Sequence, residues 1–130
     1  MNIAVRYYSR SGNTKALAEG IAKGAGVSAI PVDQADAQIT EPVDVLFIGG
    51  ALYMYGLDNH LKEYLKTLNK NVVKKAVVFS TSWISKHSID LIKKALKQKG
   101  IPVEDETLYA KNMPDGEQLE SAAAFARKYM

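Results

Sequence analysis

The sequence predicts an α/β fold in which a parallel β-sheet lies between two layers of helices, a three-layer sandwich. Short apolar runs alternate along the chain with segments of helical periodicity, and strands separated by helices run mostly parallel. No linker or internal repeat interrupts this alternation over the 130 residues. We therefore expect a single domain that spans residues 1–130.

The first strand and the first helix are predicted from a change in the spacing of the apolar residues. Residues 3–8 form a β-rich run, and from Thr14 onwards apolar side chains recur on one helical face until two glycines can end the helix. Residues 27–32 are predicted as a second strand. The polar stretch 33–44 contains a proline, so it is predicted as a loop or a short helix.

The central part of the chain alternates in the same way. Residues 45–48 and 76–79 are continuously apolar, as expected of strands that are covered on both faces. Between them lie a Gly-rich turn and a helical stripe over 57–68, which Asp58 or Asn59 can cap.

The last part of the chain predicts two helices and an edge strand. Ser88 is expected to cap a helix that Gly100 stops. Residues 103–109 are less apolar than the other strands, which favours an edge position. Asp115 and Gln118 have the spacing of a capping box, so we expect the final helix to begin there.

Composition excludes several classes of protein. The chain has no Cys, so a disulfide scaffold, thiol catalysis and Cys-built metal sites are excluded, and with two His we predict no metal site. The longest apolar run, 45–52, is far shorter than the roughly 20 residues that span a bilayer. We find no charged-then-apolar leader and expect a cytoplasmic protein without a membrane span.

The net charge of +3 is unevenly distributed. Residues 62–99 hold ten Lys but only two carboxylates, Glu63 and Asp90. These lysines either solvate the outer faces of two helices or form a docking surface for an acidic partner. We predict no nucleic-acid partner, although a basic segment is also compatible with one.

The most informative segment joins the first strand to the first helix. The free N–H groups and the dipole at a helix N-terminus favour an anion. Gly12 allows close backbone approach or a positive φ, Arg10 adds a cation, and short polar side chains supply donors without bulk. A terminal phosphate would satisfy these groups, and the alternative is a capped turn that binds nothing. The candidate residues are Ser9, Arg10, Ser11, Gly12, Asn13 and Thr14.

Known phosphate motifs narrow the type of ligand. The patterns G-x-x-x-x-G-K-[ST] and G-x-G-x-x-G are both absent, so the chain is not a P-loop hydrolase and dinucleotide binding is unsupported. A receiver domain of this topology would need acidic residues where Tyr7, Tyr8 and Ser9 stand. A phosphatase of this architecture would need a Cys in the loop.

The segment from Tyr7 to Thr14 resembles the FMN phosphate loop of the flavodoxin family. The family pattern is an aromatic, a spacer, Ser or Thr, two free positions, Gly, one free position and Thr, and Tyr7, Ser9, Gly12 and Thr14 match it. Arg6 departs from the usually apolar strand, so we expect it at a sheet end or beside an acidic partner. The resemblance implies a flavodoxin-like fold with a five-stranded parallel sheet in the order 2-1-3-4-5, and FMN as cofactor.

The resemblance also assigns roles to the loops after the third and fourth strands. In the family, the first of these loops packs an aromatic ring against the isoalloxazine, and two tyrosines here offer flat walls with polar tips. The second loop holds the pyrimidine edge with short polar residues, and the single Trp is expected to cover the other face of the ring. The alternatives are tyrosines that simply fill a crowded loop and a half-buried Trp without a ligand. The predicted flavin residues are Ala51, Leu52, Tyr53, Tyr55, Gly56, Thr81, Ser82 and Trp83.

The resemblance implies an FMN-binding redox protein in which the flavin carries the chemistry, so we predict no catalytic residue. We expect electron transfer between protein partners, a reductase and an acceptor, by a monomer or weak dimer. One alternative is an FMN-dependent oxidoreductase acting on a quinone or porphyrinogen-like substrate. Residues 48–51 and 55–56 are similar to menaquinone-linked flavodoxin-like oxidases, whose long insertion is not identified here. The other alternative is a flavin-free interaction module of the same fold.

Overall fold

The computed structural model describes residues 1–53, 56–81 and 86–130. Its strands are β1 (Ile3–Tyr7), β2 (Ala29–Pro31), β3 (Val45–Gly49), β4 (Leu52–Tyr53), β5 (Gly56–Leu57), β6 (Ala76–Thr81) and β7 (Val103–Ala110). Its helices are α1 (Asn13–Ala25), α2 (Asn59–Thr67), α3 (His87–Gln98) and α4 (Gly116–Arg127).

Five of the strands form one parallel sheet in the order β2-β1-β3-β6-β7. This is the predicted order 2-1-3-4-5, so the α/β fold class and the strand order are confirmed. The less apolar strand β7 lies at one edge, as its composition predicts. In the described ranges, no helix is long and apolar enough to cross a membrane.

Alternate side chains of the apolar strands face two separate cores. Val45 and Phe47 belong to the cluster under α1 and α4, whereas Leu46 and Ile48 belong to the cluster under α2 and α3. Successive side chains of a strand point to opposite faces, so a continuous apolar run fills both layers. All four side chains are 0–1% exposed.

Helices α1 and α4 pack very closely on one side of the sheet. A Cβ atom added to Gly24 would collide with the backbone of Ala123 in α4. Gly26 then ends α1 in the left-handed conformation, with φ of 73°. The two glycines thus have different roles, since only Gly26 terminates the helix.

Two of the three predicted helix caps are confirmed. The Asp58 side chain accepts a hydrogen bond from the backbone N–H of His60 at the start of α2, and Asp115 forms a capping box with Gln118. The prediction that Ser88 caps its helix is wrong, because α3 begins at His87 and Lys86 takes the N-cap position, two residues before Ser88. Ser88 is instead buried, and its hydroxyl belongs to a network with β6.

The described contacts of Arg6 are with carbonyl oxygens and not with the expected acidic partner. Arg6 is 9% exposed, is the fourth of the five residues of β1 and pairs with Ile30 and Ile48 on the two neighbouring strands. Its Nε donates to the Ala37 carbonyl over 2.8 Å. Its Nη1 donates to the Val5 carbonyl over 3.1 Å, and the Tyr64 hydroxyl donates to the same Ala37 oxygen. A short 3-10 helix, Ala35–Ala37, therefore satisfies this buried cation with a carbonyl oxygen instead of a carboxylate.

Three further segments can be compared with their predictions. Strands β4 and β5 pair as a small antiparallel ribbon where the sequence predicts only a Gly-rich turn. The second strand, predicted over 27–32, is shortened to Ala29–Pro31. The stretch predicted as a loop or short helix contains the 3-10 helix.

Candidate functional site

The carboxyl ends of β1, β3 and β6 lie side by side at one edge of the sheet, because these strands are parallel neighbours. Segments that follow such strand ends form the usual ligand crevice of an open α/β sheet. Two contacts join the predicted segments directly. The Thr14 and Thr81 hydroxyls lie 2.6 Å apart, and the Arg10 backbone N–H donates to the Tyr53 hydroxyl over 3.0 Å.

The segment 9–14 opens α1 without a side-chain cap. Gly12 takes the N-cap position with φ of 94°, no side chain caps it, and the first turn carries no acidic residue. The first N–H groups of any helix lack acceptors within the helix, and its dipole favours negative charge there. This end of α1 can therefore receive an anion.

Gly12 is needed for its backbone conformation and not for space. A Cβ atom at this position would meet no atom within 4 Å, yet its φ of 94° lies where other L-residues are strained. The turn is held by the Ser9 hydroxyl, which accepts from the Gly12 N–H over 3.0 Å. The Ser11 hydroxyl accepts from the Asn13 N–H over 3.5 Å.

Thr81 reaches the segment 9–14 from the end of β6. Both Thr14 and Thr81 are buried, 1% and 2% exposed, and they share the short hydroxyl contact. Their hydroxyls therefore fix the start of α1 against the sheet.

Arg10 and Tyr53 form a second contact between segments. The Arg10 guanidinium carbon lies 4.2 Å from the centre of the Tyr53 ring, in addition to the backbone hydrogen bond. Burial raises the pKa of the Tyr53 phenol and outweighs the opposing hydrogen bond and charge of Arg10. Tyr53 thus stays a neutral phenol with one face covered by a cation.

The Arg10 side chain is paired with a carboxylate. Its Nε donates to Asp58 Oδ2 over 3.0 Å, and its Nη2 forms an ion pair with the same oxygen. Asp58 Oδ1 accepts from the backbone N–H and from Nδ1 of His60, each at 2.8 Å. Burial opposes ionisation of Asp58, but the hydrogen bonds from Arg10 and His60 prevail and lower the pKa of its carboxyl below the ordinary value.

His60 links the start of α2 to Tyr8. Its side chain is 55% exposed, but the ring stacks on Tyr8 with centroids 4.7 Å apart and an interplanar angle of 10°. The Tyr8 backbone N–H donates to the Gly49 carbonyl over 3.2 Å. We call Tyr8, Arg10, Asp58 and His60 the Arg10–Asp58 cluster, which ties the segment 9–14 to the start of α2.

The segment after β3 is held by buried hydroxyls. The Ser80 hydroxyl donates to the Gly50 carbonyl over 2.5 Å and lies 2.6 Å from the Ser88 hydroxyl. Ala51 and Leu52 follow and are half-buried. Gly56 pairs with Tyr53 in the ribbon, so these predicted residues lie beside the segment 9–14.

Three of the predicted flavin residues, Tyr55, Ser82 and Trp83, lie outside the described residues. Within the described ranges, no three His, Asp or Glu side chains come together in a way that could hold a metal ion.

The local sequence around Asp58 predicts only a capping role and does not indicate the contact with Arg10. The two residues are 48 positions apart, so no local spacing relates them. The available signal was topological, since both follow the carboxyl ends of neighbouring parallel strands.

Comparisons with known proteins identify the family of the chain and support its fold. The flavodoxin domain family matches residues 4–110. No curated protein sequence matches the chain. Among solved structures, a flavodoxin from the domain Archaea is similar with a TM-score of 0.83 and 22% identity, over 99% of this chain and 96% of that one.

Two further structures show the same fold. Oxidised flavodoxin 1 from Bacillus cereus has a TM-score of 0.81 and 22% identity, over 99% of this chain and 97% of its own. The Flv1 flavodiiron core from Synechocystis has a TM-score of 0.83 and 21% identity, and the match covers 99% of this chain but 35% of that one. Since the family match spans most of the sequence, the chain belongs to the flavodoxin domain family.

Proposed function

We propose that this chain binds FMN at the carboxyl edge of its sheet and transfers electrons between protein partners, a reductase and an acceptor. Proteins of the flavodoxin family bind FMN, which confirms the cofactor prediction. The observation that carries the assignment of the site is the start of α1, where Gly12 has a positive φ and no side chain caps the helix.

The groups at the start of α1 suit a phosphate in number and kind. Backbone N–H groups of a helix N-terminus and small hydroxyls bind phosphate without the need for a lysine. Ser9, Ser11 and Thr14 supply these hydroxyls, and the first turn of α1 holds no carboxylate that would repel the ligand. Because its guanidinium pairs with Asp58, Arg10 contributes chiefly by holding the segment in place.

The residues beside this segment suit a flat ring. FMN, when bound, supplies the electron-carrying isoalloxazine. Arg10 covers one face of Tyr53, so the opposite face of the phenol is the one available for stacking. Gly56 and Thr81 flank the same edge of the sheet, and Tyr55, Ser82 and Trp83 stay predictions from the family resemblance.

We also propose that residues 1–130 form one domain, since both helical layers cover faces of a single sheet. A cytoplasmic location and a monomeric or weakly dimeric state stay predictions from the sequence.

The visible spectrum tests the proposed function. The purified protein is expected to be yellow, with flavin absorbance and a fluorescence that rises on denaturation. A colourless protein that takes up no added FMN would contradict it. Electron carriage is tested separately by comparing direct oxidation of NAD(P)H with reduction through a separate reductase. Appreciable direct turnover would favour an oxidoreductase instead.

A further inference from the structure

A groove of about 550 Å³ runs between α2 and α3. Its floor is apolar and consists of Leu57, Leu65, Leu91 and Ala95. Leu57 and Leu65 are buried, whereas Leu91 and Ala95 are half-buried and present apolar surface to the groove. This strip is small, but it offers apolar contact to a side chain that enters the groove.

The rim of the groove is positively charged. Lys62, Lys66 and Lys99 line it together with Gln98, and no carboxylate is among the lining residues. Lys66 has an exposed neighbour in Glu63, 3.1 Å away, but none of the described carboxylates forms an ion pair with Lys62 or Lys99. These two ammonium groups are available to an external anion.

The groove adjoins the proposed flavin site. Gly56 and Leu57 of β5 are among its lining residues, and β5 pairs with the strand that carries Tyr53. The Lys62 ammonium lies 3.8 Å from the position that a Cβ atom on Gly56 would occupy. A partner seated in the groove would therefore lie next to the ribbon.

We propose that this groove docks an acidic amphipathic segment of the redox partner. Its apolar side chains would cover Leu91 and Ala95, and its carboxylates would meet Lys62 and Lys99. Charge complementarity favours an acidic segment, because a basic segment would be repelled by the unpaired ammonium groups of Lys62 and Lys99. That the partner exchanges electrons rests on the proposed function, whereas the docking itself does not.

The test uses a synthetic helical peptide that has Leu at positions i, i+3, i+4 and i+7 and Glu elsewhere. Its binding to the isotope-labelled full chain is followed by NMR, both without flavin and after addition of FMN. We expect amide shifts that map to α2, α3 and β5, and an affinity that falls as salt rises from about 0.02 M to about 0.2 M. A matched peptide with Lys in place of Glu is expected not to bind.

Charge-matched variants locate the interaction. The double variant Lys62→Glu/Lys99→Glu is expected to bind the acidic peptide about tenfold more weakly. Lys23→Glu/Arg127→Glu changes the net charge equally, but on exposed positions of α1 and α4, and should change the affinity less than about twofold. Leu91→Gln tests the apolar floor and should weaken binding about threefold or more.

Three results would overturn the docking site: equal binding of both peptides, equal effects of the two double variants, or an unchanged affinity in Leu91→Gln. The two proposals fail separately. Peptide binding by a protein that takes up no FMN would refute the proposed function alone, and a yellow protein that ignores the acidic peptide would refute the groove alone.

Discussion

The side chains in and around the segment 9–14 form two groups. Ser9, Ser11 and Thr14 bring hydroxyls to the start of α1, whereas the Arg10–Asp58 cluster holds the segment from the side. The first group is expected to determine the affinity for FMN, and the second to determine how firmly the segment is held before FMN arrives.

The first group can be tested by placing a negative charge where the phosphate is expected. Ser11 is exposed, so Ser11→Asp leaves the packing of the fold intact. The new carboxylate would repel the phosphate at the same helix end, and we expect FMN affinity to fall at least about a hundredfold. Fluorescence titration of FMN measures this change. Ser11→Asn, which has nearly the same shape as the Asp variant but no charge, should stay within about tenfold of the parent protein. Equal affinities for the Asp and Asn variants would show that the phosphate binds elsewhere.

The second group can be tested through the pH dependence of stability. The pKa of the Asp58 carboxyl is lower in the folded protein than in the unfolded chain, so Asp58 stabilises the fold above its unfolded pKa. Asp58→Asn keeps an acceptor for the cap but loses the ion pair with Arg10, and should lower the free energy of unfolding at pH 7 by about 1–3 kcal/mol.

This difference should vanish as the pH falls through the folded pKa of Asp58, because the parent side chain then becomes neutral as well. Urea unfolding of both proteins at a series of pH values from 7 downwards checks the expectation. A difference that persists unchanged in acid would mean that the amide disturbs the cap, and that the lost charge is not the cause.

The strand end, the turn and the helix start around the segment 9–14 were predictable because the relation between them is local. A strand, a turn rich in Ser and Gly, and a helix start follow one another within a few positions, and each has its own sequence signal. The partners of Arg6 and Arg10 were not predictable, since one is a carbonyl oxygen and the other lies 48 residues away. Every residue has a backbone carbonyl, so the sequence does not indicate which of them accepts a hydrogen bond from a buried arginine.

Among the elements, α1 and α4 can pack closely because Gly24 has no side chain. Gly24→Ala ordinarily gains helix propensity, but here the methyl group meets the backbone of Ala123. Backbone cannot move aside as a flexible side chain can, so we expect a loss of about 1–3 kcal/mol in the free energy of unfolding.

The matched control is Gly116→Ala in the first turn of α4, where an added Cβ atom meets nothing within 4 Å. That variant should be neutral or more stable by up to about 1 kcal/mol. Urea midpoints of the two variants give the comparison. A stable Gly24→Ala protein would contradict the close contact of α1 and α4.

The success of the element predictions depended on length and pattern. Strands β3 and β6 are runs of apolar residues long enough to indicate burial on both faces. Strands β4 and β5 have two residues each and no periodicity that could be detected. Ser88 was predicted as a cap because serine is common at helix starts. Its hydroxyl instead contacts the Ser80 hydroxyl of β6, and the sequence alone does not distinguish these two roles.

At the scale of the whole molecule, binding of FMN should increase the stability of the folded protein. A ligand that binds only the folded state raises the free energy of unfolding by about 2.7 kcal/mol when its concentration is about 100 times its Kd. For a chain of this size, this corresponds to an increase of roughly 10 °C in Tm. We expect FMN to give a shift of this order. Riboflavin, which lacks the phosphate, should give a clearly smaller one at the same concentration.

Differential scanning fluorimetry or circular dichroism measures both shifts. Equal shifts for the two flavins would show that the start of α1 contributes nothing to binding. No shift with either flavin would contradict FMN binding altogether.

The pairing of α1 with α4 also has a consequence for synthesis. Helix α1 emerges from the ribosome early, but residues 116–127, which complete its layer, are made after every strand of the sheet. Until then, Phe47 of β3 lacks its contact with Phe125 of α4. A chain that ends before residue 116 should therefore expose this apolar layer and be bound by chaperones, whereas a chain that ends after residue 127 should not.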